Sequence, residues 1–166
     1  AGTALQGTER AASVDVLTGD LAVRLNRRGP RLFQSASRGR REYLAWPDSD
    51  AGPEASDLLA RDGEGRLYCT QVDDALIEEA NPLRLVVRAE GGFCNLGDGT
   101  RLLSWIARVY FYAGHDFCRT YFTFVHDQPQ AFVELRHLRL ALPLDLGDSR
   151  RVILSARQNL WEHGPD

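Results

Sequence analysis

The stretch "WIARVYFYAGHDFCRTYFTF", Trp105 to Phe124, constrains the fold of this chain more than any other, because two runs of strict period-two alternation flank one short turn. With Gly114 and His115 as the loop residues, one hairpin register sorts both runs at once. Tyr112 then meets Phe117, Phe111 meets Cys118, Tyr110 meets Arg119, Arg108 meets Tyr121, Ala107 meets Phe122 and Trp105 meets Phe124. Leu103, Trp105, Ala107, Val109 and Phe111 share one face with Cys118, Thr120, Phe122 and Phe124, and that face is the core. The opposite face carries a checkerboard of Arg108, Tyr110, Arg119 and Tyr121, with each guanidinium expected across from a phenol ring.

The rest of the chain extends this pattern. "SVDVLTGDLAVRLNRRGPRLFQSAS" alternates around the turn signals "TGD" and "RRGP" and reads as two or three strands, and "REYLAW" reads as a further short one. From residue 65 onward, "RLYCTQVDD", "ALIEEANPLRLVVRAE", "RLLSWIARVYFYA", "DFCRTYFTFVHD" and "AFVELRHLRLALPLDL" are strand-like runs between turn-rich segments. Aromatic and β-branched enrichment at short spacing predicts an all-β, antiparallel sandwich rather than a helical or βαβ fold. "DLLARDG" and "DDALIEEA" are read as one or two short helical turns. Residues 1–11 are read as a tail or linker, 12–158 as the sandwich and 159–166 as an exit linker; "PDSDAGPEASD" is a polar loop expected to be disordered.

In "LRLVVRAE", Leu83, Leu85, Val87 and Ala89 are assigned to the core, leaving Arg84, Arg88 and Glu90 outside. A tight return after "DQPQ" would set Val133 and Leu135 inward and put Glu134 and Arg136 beside Thr123 and Tyr121. The alternation breaks at "RHLRL", which is read as a bulge. The polar face thus gathers Arg84, Arg88, Arg108, Arg119, Arg136, Tyr110, Tyr121 and Glu134. Arg clusters hold carboxylates through forked hydrogen bonds and Tyr faces pack on sugar rings, so an acidic carbohydrate fits as a ligand. A solvated face, or one covered by an adjacent domain, is the alternative.

Composition narrows the chemistry. All 20 basic residues are Arg, a bias that fits a GC-rich, bacterial coding sequence. Without Lys, Walker A phosphate binding, Schiff-base catalysis and Ser-Lys nucleophile activation are closed. The net charge of -3 gives no reason to expect nucleic acid, and no apolar run approaches a membrane span. The chain contains no Met, from which Ala1 is expected to be a processed end or the edge of an excised domain. Cys69, Cys94 and Cys118 are read as free, mostly buried thiols rather than a zinc site or a disulfide framework. His115, His126, His137 and His163 lack metal-ligand spacing; His137, beside Arg136 and Arg139, is the one placed to act as a base near an anion. Ser104 and Ser155 lack a G-x-S-x-G context. No metal and no cofactor is expected, and the catalytic residues are unknown.

On "DVLTGDLAVRLNRRGPRLFQSA", "LRLVVRAEGGF" and "LLSWIARVYFYAGHDFCRTYFTFVHD" followed by "LRHLRLALPL", the chain resembles the central β-sandwich domain of the exo-rhamnogalacturonan lyase-like (YetA-like) proteins. The resemblance implies a supersandwich of the galactose-mutarotase-like kind, a barrel domain before it and an α/α-toroid after it as partners, and a larger polysaccharide lyase-like protein acting on acidic plant polysaccharide. In lyase chemistry a cation neutralises the uronate carboxylate, a base removes the C5 proton and the leaving group departs by β-elimination. Arg108 and Arg119 would then bind the carboxylate, with Tyr110 or Tyr121 moving the proton and Arg84, Arg136 and His137 completing the substrate-binding surface. A cleft wall without catalysis, a stand-alone carbohydrate-binding module and a purely structural scaffold are the competing readings.

Overall fold

A computed structural model describes residues 5–47, 52–129 and 132–147. Among these described residues, eleven strands form two antiparallel sheets. The first sheet runs in chain order through β1 (Gln6–Glu9), β2 (Ser13–Thr18), β3 (Leu21–Asn26), β4 (Phe33–Arg38) and β5 (Arg41–Glu42). The second holds β6 (Leu58–Asp62), β7 (Leu67–Ala80), β8 (Arg84–Asn95), β9 (Arg101–Tyr112), β10 (Cys118–Val125) and β11 (Leu135–Leu140), in the order β10-β9-β8-β7-β6-β11. The expected antiparallel β-sandwich is what the chain forms.

The inner faces follow the predicted parity. Val14, Val16, Val23 and Leu25 of the first sheet meet Leu85, Val87, Ala89, Trp105, Ala107, Val109 and Phe111 of the second, all buried in one cluster. Trp105, fully buried, lies at the centre. It reaches that position because Gly91 stands opposite it on β8; a β-carbon at Gly91 would come within 2.6 Å of the indole and 2.2 Å of the Gln71 carbonyl oxygen. The β9–β10 hairpin has the expected register from Phe111↔Cys118 to Trp105↔Phe124. Gly114 adopts φ 73°, which a residue with a β-carbon rarely takes. The turn is tied to the other sheet by Thr18, whose hydroxyl donates to the Tyr112 carbonyl at 2.5 Å and the His115 carbonyl at 3.2 Å.

Several local expectations are corrected by long-range pairing. "DLLARDG" and "DDALIEEA" are not helical: they lie in β6 and β7, and "RLYCTQVDD" and "ALIEEA" fuse into the single strand β7. The helical element among the described residues is a 3-10 turn at Gly52–Ala55. Gln6–Glu9, placed in a tail by its small polar residues, is the edge strand β1, paired with β2. Leu83 is 76% exposed, because it stands in the β7–β8 turn rather than in the strand. β11 does not return beside β10. It pairs with β6 at the far edge of the sheet, with a register shift between Leu135 and His137 at the predicted bulge. The chain then crosses back to the first sheet, where Leu144 bridges Leu44. The proposed exit linker, His163 and Ser155 lie outside the described residues.

The end of the polar loop is likewise part of the core. Asp57 is fully buried, and its Oδ2 accepts the Leu32 and Phe33 amides at 2.6 and 3.0 Å, pinning the start of β4 to the second sheet. Burial pushes the Asp57 carboxyl up to about 6, against the lowering effect of those amide hydrogen bonds.

Two outcomes follow. Trp105→Ala removes the central side chain of a closed core and should cost about 3–5 kcal/mol in denaturant unfolding. Because the folded Asp57 pKa lies above the unfolded one, its contribution to stability is fully present below about pH 4 and is lost as pH rises through about 6. Asp57→Asn, which keeps one oxygen acceptor for the two amides, should flatten that part of the stability–pH curve, an effect on the order of 3 kcal/mol; an unchanged slope between pH 4 and 7 would refute it.

Candidate functional site

The outer face of the second sheet collects most of the predicted site. Arg108 and Tyr110 on β9 stand opposite Tyr121 and Arg119 on β10, and Arg84 at the start of β8 lies across from Tyr112. Parity alone positions these five side chains, since their neighbours Ala107, Val109 and Phe111 are committed to the core. Arg136 and His137 are not with them. Both sit on β11, across from β6 at the opposite edge, with four strands between them and β10. Arg136 approaches Glu134 at 3.8 Å, so neither residue stands beside Tyr121. His137 lines a separate hollow of about 360 Å³ with Leu59, Arg61, Leu67 and Arg139.

The contacts within the face differ from the checkerboard. Tyr110 and Tyr121 pack edge to face, with centroids 5.6 Å apart, and the guanidinium over the Tyr110 ring is that of Arg84, at 6.0 Å. Arg108 is gripped by Glu78 through a fork, Nε–Oε2 2.7 Å and Nη2–Oε1 2.9 Å. Glu79 holds Arg84 in the same way, at 3.2 and 2.6 Å, and Glu90 holds Arg88 at 2.7 Å. The Arg108 guanidinium keeps the Glu78 carboxyl below the usual range, and Glu78 in turn raises Arg108. Arg119 has no ion-pair or hydrogen-bond partner for its guanidinium among the described residues.

Glu78 and Glu79, absent from the expected face, are the ion-pair partners of Arg108 and Arg84. A plain strand sends consecutive residues to opposite faces, but the β7–β8 ladder shifts register between Ile77 and Glu79. That bulge lets both carboxylates reach arginines of the outer face. The signal available was charge: an "EE" pair in a run next to strands carrying Arg84, Arg88 and Arg108.

A second region, also unforeseen, is a cleft of about 610 Å³ between the β6–β7 turn, the start of β9 and the segment before β11. It is lined by Tyr68, Arg66, Arg101, Gln128, Phe132 and Glu134, among others. Tyr68 donates to Asp62 Oδ2 at 3.0 Å, and Arg101 holds both oxygens of Asp73 at 2.6 and 2.7 Å. His115 and His126 serve local roles: the His115 ring packs on Phe117 and Tyr112, and His126 Nδ1 accepts the Gln128 amide at 3.3 Å. No group of three or more His, Cys, Asp or Glu among the described residues is placed to hold a metal ion.

Two antiparallel sheets with a polar, ion-paired outer face define an all-β sandwich domain. The chain belongs to the family described as PcRGLX-like protein central β-sandwich domain, whose model matches residues 5–158. It is therefore a β-sandwich domain of the rhamnogalacturonan lyase-like type. No curated protein matches the chain.

If Glu78 and Glu79 neutralise this face, Glu78→Gln combined with Glu79→Gln should release Arg108 and Arg84. Binding of the isolated chain to oligogalacturonate should then rise several-fold and weaken again with added salt. Equal binding by wild type and double variant at low salt would contradict the assignment.

Proposed function

We propose that this chain is a non-catalytic, cleft-wall β-sandwich domain of a larger polysaccharide lyase-like protein acting on acidic polysaccharide of the rhamnogalacturonan type. One observation carries the reading: Arg84, Arg88 and Arg108 are each neutralised by a carboxylate of their own sheet. A guanidinium already held in a fork by a carboxylate has little capacity left for a uronate, and in this state it stiffens the sheet. Such a face suits a scaffold more than a pocket built around substrate charge.

Arg119 is the exception and gives the wall its point of contact with sugar. It stands beside the exposed ring of Tyr121 and opposite Tyr110, which pairs an unengaged fork donor with an aromatic surface, the combination that suits a uronate and its ring. Proton abstraction and leaving-group chemistry are assigned to the partner domains, the barrel and the α/α-toroid.

In the full-length lyase-like protein, Arg119→Ala should raise KM for rhamnogalacturonan oligosaccharides several-fold while leaving kcat near wild type, since a wall residue contributes to binding and not to the chemical step. Titration of the isolated chain should shift NMR resonances around Arg119 and Tyr121 without producing the ultraviolet absorbance of unsaturated product. Unchanged KM in Arg119→Ala would remove the contact, and product formed by the isolated chain would overturn the non-catalytic assignment.

A further inference from the structure

Cys69 on β7 and Cys94 on β8 stand directly opposite each other in the antiparallel ladder, and both are free thiols. The surrounding hydrogen bonds show which kind of cross-strand pair they form. Thr70 turns its amide away from β8, to Ser56 Oγ at 2.9 Å, so the amide and carbonyl of Cys69 turn toward β8. Asn95 gives its amide to the Thr100 carbonyl on the β9 side at 2.9 Å, so those of Cys94 turn toward β7. The two cysteines are thus a hydrogen-bonded pair, with α-carbons about 5.5 Å apart. That spacing lies inside the roughly 4.4–6.8 Å a disulfide spans.

The side chains also share a face. Tyr68 and Phe93, sequence neighbours of the two cysteines, belong to the core cluster and Cys69 and Cys94 do not, so both thiols point to the outer side. Cys118 is on β10, opposite Phe111 and two strands from Cys94, and does not compete. Arg101, opposite Cys94 on β9, places a cation beside it. Cys94 is half-buried while Cys69 is buried, which orders their roles: the accessible sulfur meets the oxidant and the covered one resolves the product.

We propose that Cys69 and Cys94 are a reversible dithiol–disulfide site that reacts with small disulfides such as oxidised glutathione. The Cys94 thiolate attacks one glutathione sulfur, the glutathione S–S bond breaks and one glutathione leaves as thiolate. Cys69, having lost its proton to water, then attacks Cys94 Sγ, and the second glutathione departs. Glutathione disulfide gains two electrons, the cysteine pair loses two, and the two protons pass to the released thiolates. The β-carbons of facing strand residues sit about 4.5–5.5 Å apart, whereas a disulfide draws them to about 3.8 Å. The bond therefore pulls the strands together and is readily reduced. Tyr68 and Arg101, the residues next to this pair, line the 610 Å³ cleft, so closing the bond acts on that wall.

The test treats the folded, reduced chain with oxidised glutathione, followed by acid quenching, thiol counting and mass spectrometry. Free thiols should fall from three to one, the mass should drop by two hydrogen atoms, and peptide mapping should join Cys69 to Cys94; dithiothreitol should reverse all three. Cys118→Ser should give the same crosslink, and Cys69→Ser should halt at a glutathione adduct on Cys94. A persistent adduct on the wild type, a crosslink through Cys118, covalent dimers, or closure only in denaturant would each overturn the proposal. If Cys69→Ser fails to fold, the wild-type mass and map decide alone.

Discussion

Everything in this domain rests on the closure of two sheets over Trp105. A ring of that size fits at the centre of the sandwich only because Gly91 offers a bare α-carbon opposite it. Removing large apolar surfaces from water supplies the drive; the missing β-carbon supplies the space. The flanking small residues Ala89 and Ala107 continue the same accommodation, so that large and small side chains interdigitate between strands. Other features are consequences of that closure: the hairpin turn bonded by Thr18, the β4 start bonded by Asp57, and the outer face left for polar groups.

The outer face illustrates how strand geometry decides electrostatics. Four arginines on three adjacent strands would repel one another and attract anions if left alone. A single extra residue in β7 turns two adjacent glutamates toward them, and the net field of the face is largely cancelled. Being exposed, these pairs add little to stability. Their effect is on the charge the surface presents: among the described residues it is available at Arg119 and engaged at Arg84, Arg88 and Arg108. The 610 Å³ cleft at the other end of the sheet has a similar character, with Arg101 committed to Asp73 and Tyr68 to Asp62.

Local pairing was legible in the residues and distant pairing was not. The β9–β10 register could be read because a short turn leaves only one alignment that buries Trp105, Val109 and Phe111 together. The return of "LRHLRL" could not be assigned in the same way. Alternation says which face a side chain takes and nothing about which strand lies alongside, and β6, itself mistaken for a helical turn, was the missing partner. This is why Arg84, Arg108, Tyr110, Arg119 and Tyr121 share the face that alternation assigns them, whereas Arg136 and His137, expected beside them, lie at the opposite edge.

The sequence by itself determined the all-β class, the inward and outward faces of the long strands and the hairpin that carries the Arg/Tyr surface, because each depends on a period of two and on turns a few residues long. Only the tertiary structure decided which strand closes each edge, that Glu78 and Glu79 bind the arginines, that Asp57 is buried and that Cys69 faces Cys94. Those facts depend on bulges and on contacts between residues far apart in the chain, where no local periodicity reports the partner.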